Sequence, residues 1–116
     1  MGEQRDFTHF IDDIIESIHL IEVYKKGLSE EEFNTNTLKQ DAIIRRIEII
    51  GEAVKNLPPE ITSFHREIPW KKIAGLRDVA IHHYFGIIPK RLWQIITNDL
   101  PVFKEQILLV KSRFSN

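Results

Sequence analysis

The sequence predicts an all-α protein, an antiparallel bundle of about five helices. Apolar residues recur at three- and four-residue steps through most of the chain, and no stretch shows the strict alternation of a half-buried strand. Internal repeats and low-complexity linkers are absent. With 116 residues, one domain spanning 1–116 is expected to bury about two-thirds of its unfolded surface.

The first helix is predicted from about residue 5 to 26, and Gly27 follows it as a terminating glycine. Ser29 and Glu32 have the spacing of a capping box, which predicts a short helical turn. Thr37 and Gln40 have the same spacing. They predict the start of a long helix from about residue 38 to 57.

Pro58-Pro59 must end that long helix, because proline removes a backbone donor and clashes with the preceding turn. The last segments are predicted to begin at Pro69 and near Pro89, both suited to a first helical turn. Asp99-Leu100-Pro101 indicates a cap and restart, or a kink, before a final amphipathic stretch to about Phe114.

The long helix carries a wide apolar arc of about 200° at 100° per residue. Either the helix is central and contacts several neighbours, or part of the arc faces a second subunit. Gly51 costs about 1 kcal/mol relative to Ala in a helix interior, so close approach of another helix is a plausible compensation. The arc is formed by Ala42, Ile43, Ile44, Ile47, Ile49, Ile50, Ala53, Val54 and Leu57.

A polar stripe runs along the opposite side of the same helix, from Asp41 to Lys55, and includes three candidate site residues. Arg45 pairs with Asp41 at i,i+4 spacing, which is ordinary surface chemistry. Glu48 and Glu52 are a like-charged pair, which would gain from a nearby cation such as Arg77.

Composition and charge exclude several function classes. The chain is 28% charged and 42% hydrophobic, without a run approaching the ~18 apolar residues of a membrane span or a signal peptide, so cytoplasmic residence is expected. Zero cysteines exclude disulfides, thiolate catalysis and cysteine-based metal sites. Glu16 and His19 form a single Glu-x-x-His unit, whereas di-iron bundles need two, so neither a metal nor another cofactor is predicted.

The formal net charge of −1 argues against a protein that coats nucleic acid non-specifically. The charge is nevertheless polarised, because residues 66–91 contain six basic and two acidic residues, a net +4 that leaves −5 on the remainder. Such a basic segment attracts phosphates, although a solvated helix face could also produce it.

Within this segment, Arg77, His82 and Tyr84 combine side chains suited to a phosphate-handling site. Arginine offers a permanent cation with a planar fork of donors, histidine exchanges a proton near neutral pH, and tyrosine offers a hydroxyl and a stacking face. Cleavage of RNA without a metal needs a base, a cation and an acid. The alternative is an ordinary helix with an exposed arginine and a buried histidine and tyrosine.

The motif resembles HEPN domains, whose signature is Arg, then Asp, Asn or His, then three residues and His; Asp78 fits its second position. The longer form ending in His-x-Tyr is similar to the HepT toxin family. Two further stretches match that family in order: Arg45-Arg46-Ile47-Glu48-Ile49-Ile50-Gly51-Glu52-Ala53, and Pro69-Trp70 before the arginine.

The resemblance implies a HEPN-type bundle that is a metal-independent endoribonuclease toxin, paired with a minimal nucleotidyltransferase antitoxin and cutting RNA by 2′-hydroxyl attack. It implies that Arg77 and His82 are catalytic, while Asp78 orients Arg77 or its backbone. Tyr84 would contact RNA and accept AMP from the antitoxin, which would block the cleft. His83 and Lys72 are further supporting candidates, and His83 could replace His82 functionally.

Helical geometry constrains how this motif can work. On an ideal helix Arg77 and Tyr84 lie within about 20° of each other, whereas His82 points about 140° away from Arg77. Either the helix distorts near His82, or a two-fold dimer sets Arg77 of one chain near His82 of the other. The resemblance favours the homodimer, because HEPN ribonucleases are expected to place both motifs in a cleft between subunits.

A hypothesis of a different class is a non-catalytic helical subunit that binds a nucleotidyltransferase or a nucleotide. Its motif would then serve recognition alone. Both hypotheses share one fold and one partner, so the fold does not separate them. An assay of the purified protein for RNA cleavage discriminates between them.

Overall fold

The computed structural model describes residues 2–82 and 89–114, with side chains described from residue 7 onward. The described residues form helices and connecting turns without a strand, which confirms the all-α fold class. In chain order the α-helices are α1 (Gly2–Lys25), α2 (Glu30–Thr35), α3 (Thr37–Lys55), α4 (Pro59–Thr62), α5 (Trp70–Ala74), α6 (Leu76–His82), α7 (Pro89–Gln94) and α8 (Leu100–Phe114). None of the described helices is long and apolar enough to cross a membrane.

The turn between α1 and α2 has the predicted chemistry. Gly27 adopts a positive φ of 75°, a conformation that side chains disfavour, and so terminates α1. The Ser29 hydroxyl accepts a hydrogen bond from the Glu32 N–H at 3.1 Å, and the Ser29 N–H donates to Glu32 Oε1 at 2.9 Å. The predicted capping box at the start of α2 is therefore confirmed.

These bonds favour the ionised form of Glu32. The Ser29 backbone N–H, and after it the Ser29 hydroxyl, lower the pKa of the Glu32 carboxyl. Because the pKa is lower in the folded chain, the stabilisation is fully present above the ordinary carboxyl pKa. It is lost as the pH falls through the lowered pKa.

The second predicted capping box is wrong. Asn36 is the N-cap of α3, and its side-chain oxygen accepts from the Lys39 N–H at 3.0 Å. Gln40 instead donates its side-chain amide to the Phe33 carbonyl at 2.7 Å and is buried. The amide of Gln40 therefore ties α3 to α2, and the cap lies one residue earlier than Thr37.

The prolines also lie slightly differently from the prediction. Helix α3 ends at Lys55, before the two prolines, and Asn56 is its C-cap. Pro59 occupies the first turn of α4, whereas Pro69 is the N-cap of α5 rather than a first-turn residue. Both positions avoid placing proline where an intrahelical donor is needed.

The long helices are antiparallel, as predicted. On α1 and α8, Asp12 contacts Lys111 at 2.8 Å and Glu22 contacts Lys104 at 3.0 Å, so residue numbers rise on one helix as they fall on the other. On α1 and α3, the ammonium of Lys39 lies 5.9 Å from the ring centre of Tyr24. Helix α1 thus lies between α3 and α8.

Helix α3 is the central helix of the described fold. It packs against α1 on one side and against α5 and α6 on the other. Its apolar arc is satisfied within one chain, since Ala42 and Ile49 are half-buried and the other seven residues are buried. The central-helix alternative therefore explains the arc, and the arc no longer argues for a second subunit.

The helical path continues from α7 to α8 through a π-helical turn at Ile95–Asp99. The Leu100 N–H donates to the Ile95 carbonyl, five residues back. Pro101 has no N–H, so the Thr97 carbonyl lacks its usual α-helical donor, and a π-turn accommodates this interruption. The predicted cap and restart at Asp99 is wrong; the irregularity predicted at this position is a π-turn.

Candidate active site

Gly51 on α3 provides the surface on which Arg77 rests. A Cβ added at Gly51 would lie 2.9 Å from Arg77 Cβ, 3.1 Å from the Arg77 nitrogen and 3.1 Å from the Ala74 carbonyl oxygen. The start of α6 therefore approaches the backbone of α3 as closely as a glycine permits. The predicted close approach at Gly51 is confirmed, and the approaching element carries Arg77.

The next residue on α3 holds the Arg77 side chain. Arg77 Nε lies 3.3 Å from Glu52 Oε1, and the two side chains are 45% and 54% exposed. This contact confirms the expectation that Glu52 gains from the Arg77 cation. An ion pair with this exposure contributes about 0–1 kcal/mol, so an incoming phosphate can displace the carboxylate at little cost.

Arg77 and Glu52 line a groove of about 370 Å³ between α1, α3 and α6, which we call the Arg77 groove. Its other charged lining residues are Asp13, Arg45 and Glu48. Arg45 pairs with Glu48 at 3.7 Å rather than with Asp41. The lining thus carries three carboxylates and two guanidinium groups, so most of its charge is compensated before any ligand binds.

His82 lies at the last described residue of α6 and is exposed. Its Nδ1 is 2.7 Å from the Asp78 backbone carbonyl oxygen. A carbonyl only accepts hydrogen bonds, so Nδ1 must carry the hydrogen, and the basic nitrogen of the neutral ring is Nε2. An exposed His82 also differs from the buried histidine of the ordinary-helix alternative.

Asp78 contributes through its backbone rather than its carboxylate. In the described parts of the chain, Arg77 pairs with Glu52 and no ion pair joins it to Asp78. The Asp78 carbonyl instead orients the His82 ring. The sequence could not indicate this role, because every residue offers a carbonyl and only the side-chain geometry of His82 selects one.

Lys72 lies on α5, outside the lining of the Arg77 groove. Its ammonium is 3.6 Å from the carboxylate of Asp99 in the π-turn, which Arg91 also approaches at 4.0 Å. Lys72 therefore links α5 to the π-turn, and the structure does not bring it together with Arg77.

Arg77 and His82 point in different directions. Leu76 and Ala80 are the buried positions of α6, and Arg77 extends sideways from them toward α3. The five-residue step to His82 turns its Cα–Cβ direction by about 140° on a regular helix. Within the described α6 the two side chains thus face different sides, as the sequence predicts.

Two candidates, His83 and Tyr84, lie outside the described residues. The other tyrosine, Tyr24, is half-buried against the core and packs beneath Lys39. Sequence reasoning missed Asp13 as a residue of the Arg77 groove. The antiparallel pairing of α1 with α3 would have revealed it, because that pairing sets residues near 13 beside residues near 50.

Comparisons with known proteins agree with this site. The family model described as "Ribonuclease HepT-like" matches residues 14–110. A protein of Methanocaldococcus jannaschii named "Gamma-glutamylcyclotransferase and putative RNase" is 46% identical over 107 residues, 92% of this chain and 48% of that protein. This chain therefore spans about half the length of that relative.

Two further relatives are close to this chain in length. One from Thermococcus cleftensis, named "Probable ribonuclease HepT", is 41% identical over 101 residues, 87% of this chain and 92% of that protein. A "Putative RNase" of Caldanaerobacter subterraneus is 39% identical over 98 residues, 84% of this chain and 88% of that protein. No solved structure matches the chain significantly. The family match covers most of the sequence, and the chain belongs to the HepT-like ribonuclease family.

Proposed function

We propose that this chain is a metal-independent endoribonuclease, the toxin of a toxin–antitoxin pair, with Arg77 and His82 as its catalytic residues. Membership of the HepT-like ribonuclease family supports the reaction class. The hydrogen bond from His82 Nδ1 to the Asp78 carbonyl is the observation that carries the residue assignment. It fixes the tautomer in which Nε2 can accept a proton.

In the proposed reaction, His82 Nε2 accepts the proton of a ribose 2′-hydroxyl. The 2′-oxygen attacks the adjacent phosphorus, and the bond to the 5′-oxygen of the next nucleotide breaks. A protonated histidine supplies the proton to that leaving oxygen. The products are a 2′,3′-cyclic phosphate and a 5′-hydroxyl.

Arg77 would stabilise the charge that develops on the phosphorane. Its guanidinium can present two parallel N–H donors to the phosphate oxygens, a geometry that lysine lacks. The exposed pair with Glu52 supports this role, because it keeps the guanidinium extended while allowing exchange for phosphate. Asp78 would act through the carbonyl that holds His82.

A homodimer would bring these groups to one phosphate. Since Arg77 and His82 face different sides of α6, the proposal pairs Arg77 of one chain with His82 of a second. The support is this mismatch in direction, together with the family membership.

The proposed antitoxin is a minimal nucleotidyltransferase that attaches AMP to Tyr84. The attached group adds bulk and a phosphodiester charge two residues from His82, which opposes the entry of RNA phosphate. Half-burial of Tyr24 against the core makes it a poor alternative acceptor.

The decisive experiment is an RNA cleavage assay in the presence of EDTA, with analysis of the product ends. Wild-type protein should leave 2′,3′-cyclic phosphates. Arg77→Ala and His82→Ala should each lose about 10²- to 10⁴-fold in rate, and His83→Ala should lose less. Loss of cleavage on chelation, or normal cleavage by Arg77→Ala, would contradict the mechanism. Absence of cleavage by folded wild-type protein would favour the non-catalytic binding subunit.

A further inference from the structure

A second groove lies beyond the Arg77 groove, between the C-terminal half of α3 and the segment from α4 to α5. Its volume is about 600 Å³. Three cationic side chains line it, with two hydroxyl groups and no carboxylate among the lining residues. We call it the basic groove; its polar lining residues are Lys55, Thr62, Ser63, Arg66 and Lys71.

The cations of the basic groove are not neutralised by the described part of the chain. Across residues 7–82 and 89–114, Lys55, Arg66 and Lys71 have no carboxylate within 4.0 Å, whereas the arginines of the Arg77 groove are both paired. Glu67, next to Arg66 in sequence, lies instead 3.6 Å from the His65 ring. Three uncompensated cations around one groove attract a polyanion.

Aromatic side chains accompany these cations. Trp70 forms a fixed wall of the groove: its Nε1 donates to the His65 carbonyl at 2.9 Å, and its ring packs edge-on against Phe103. Phe64, which directly follows the lining residue Ser63, is 81% exposed. A positively charged groove beside an exposed aromatic ring is the combination that binds single-stranded nucleic acids, through the backbone and one stacked base.

The basic groove adjoins the candidate active site. Ala74 lines the basic groove, and its carbonyl oxygen contacts the same Gly51 position that Arg77 contacts. Ala74 and Arg77 are three residues apart, neighbouring positions of about 5–6 Å on a helical surface. A strand with its scissile phosphate at Arg77 can therefore place an adjacent phosphate at the edge of the basic groove.

We infer that the basic groove binds the single-stranded RNA on one side of the scissile phosphate, with Lys55, Arg66 and Lys71 contacting phosphates and Phe64 stacking on a base. The inference rests on the proposed function. Electrostatics support it, because the compensated Arg77 groove can supply little affinity for RNA. The basic groove supplies the missing attraction.

Binding is tested with a fluorescently labelled 12-nucleotide 2′-O-methyl RNA, which lacks the attacking hydroxyl and so cannot be cleaved. The double variant Arg66→Gln/Lys71→Gln should bind at least 10-fold more weakly than wild type at low salt. The slope of log K against log salt should fall by roughly 0.7 per lost contact. Lys26→Gln/Arg113→Gln, which removes the same charges from exposed helix ends, should bind within about twofold of wild type.

Stacking is tested by Phe64→Ala, which should weaken binding about 5-fold or more. Leu38→Ala is the matched control, since Leu38 is 78% exposed on α3 and should leave binding unchanged. Thermal unfolding of every variant verifies that the fold is retained.

Cleavage of two unmodified substrates completes the test. Arg66→Gln/Lys71→Gln should cut a 12-nucleotide RNA with a reduced kcat/KM but a dinucleotide at the wild-type rate. If no protein cleaves RNA while the binding differences persist, the groove stands and the ribonuclease proposal fails. Equal RNA binding by both double variants overturns the inference, as does unchanged RNA binding combined with loss of a copurifying protein partner.

Discussion

At Gly51, the missing side chain lets α6 rest against the backbone of α3, and this contact places Arg77. An alanine there gains about 1 kcal/mol of helix propensity but must overlap Arg77 and Ala74, and such overpacking costs about 1–3 kcal/mol. Two of the three contacted atoms belong to the backbone, so a side-chain rotation cannot relieve the overlap.

We therefore expect Gly51→Ala to lower the free energy of unfolding and to reduce RNA cleavage by displacing Arg77. Gly75→Ala is the control, because its added Cβ would meet the nearest atoms at 3.4 Å and its φ is −68°. That variant should be neutral or up to about 1 kcal/mol more stable. Urea unfolding and cleavage rates measure both, and equal behaviour of the two variants would contradict this role of Gly51.

The proposed control through Tyr84 gives a second expectation. Tyr84→Phe keeps the aromatic ring but lacks the acceptor hydroxyl, so it should retain at least partial cleavage and resist neutralisation by the nucleotidyltransferase. Intact mass after co-expression should rise in steps of one AMP for wild type and stay constant for Tyr84→Phe. Full silencing of an unmodified wild-type toxin would replace modification with steric occlusion.

Side-chain chemistry could be predicted from the sequence at Gly51 and Glu52, since a glycine within a helix and a like-charged pair each require compensation. The roles of Asp78 and Asn36 could not. A backbone carbonyl leaves no signature in the sequence, and Asn36 and Thr37 are both good capping residues at adjacent positions.

Among the helical elements, α2 depends most clearly on its cap, because six residues are too few to be stable by propensity alone. Ser29→Ala removes the hydroxyl that accepts the Glu32 N–H and should cost about 0.5–2 kcal/mol. Ser63→Ala is the control, since the Ser63 side chain makes no hydrogen bond to any described residue. Chemical denaturation at neutral pH should separate the two variants, and equal stability would contradict the cap's contribution.

Helix positions could be predicted from periodicity and proline spacing to within a few residues. The π-turn could not be predicted as such, because Asp99-Leu100-Pro101 fits both an interrupted and a continuous helix. The continuous path keeps Asp99 near Lys72 and Arg91, which ties the final helix to α5.

For the whole molecule, the apolar arc of α3 shows what periodicity can and cannot establish. A wide arc predicts extensive burial, and α3 is indeed buried on most sides. Periodicity does not identify the covering partner, and here α1, α5 and α6 supply it. The argument for a dimer therefore depends on the different directions of Arg77 and His82.

A stable dimer is the corresponding expectation in solution. Light scattering at micromolar concentration should give twice the mass of the 116-residue chain. A monomer mass with full ribonuclease activity would contradict a cleft shared between subunits.

Complementation between inactive variants tests most directly the claim that Arg77 of one chain acts with His82 of another. Arg77→Ala and His82→Ala proteins, each inactive alone, are mixed under conditions in which subunits exchange. Half of the dimers are then mixed, and each has one intact composite site, so about a quarter of wild-type cleavage should return. If the mixture stays as inactive as its components while tagged subunits demonstrably exchange, Arg77 and His82 do not meet across a dimer.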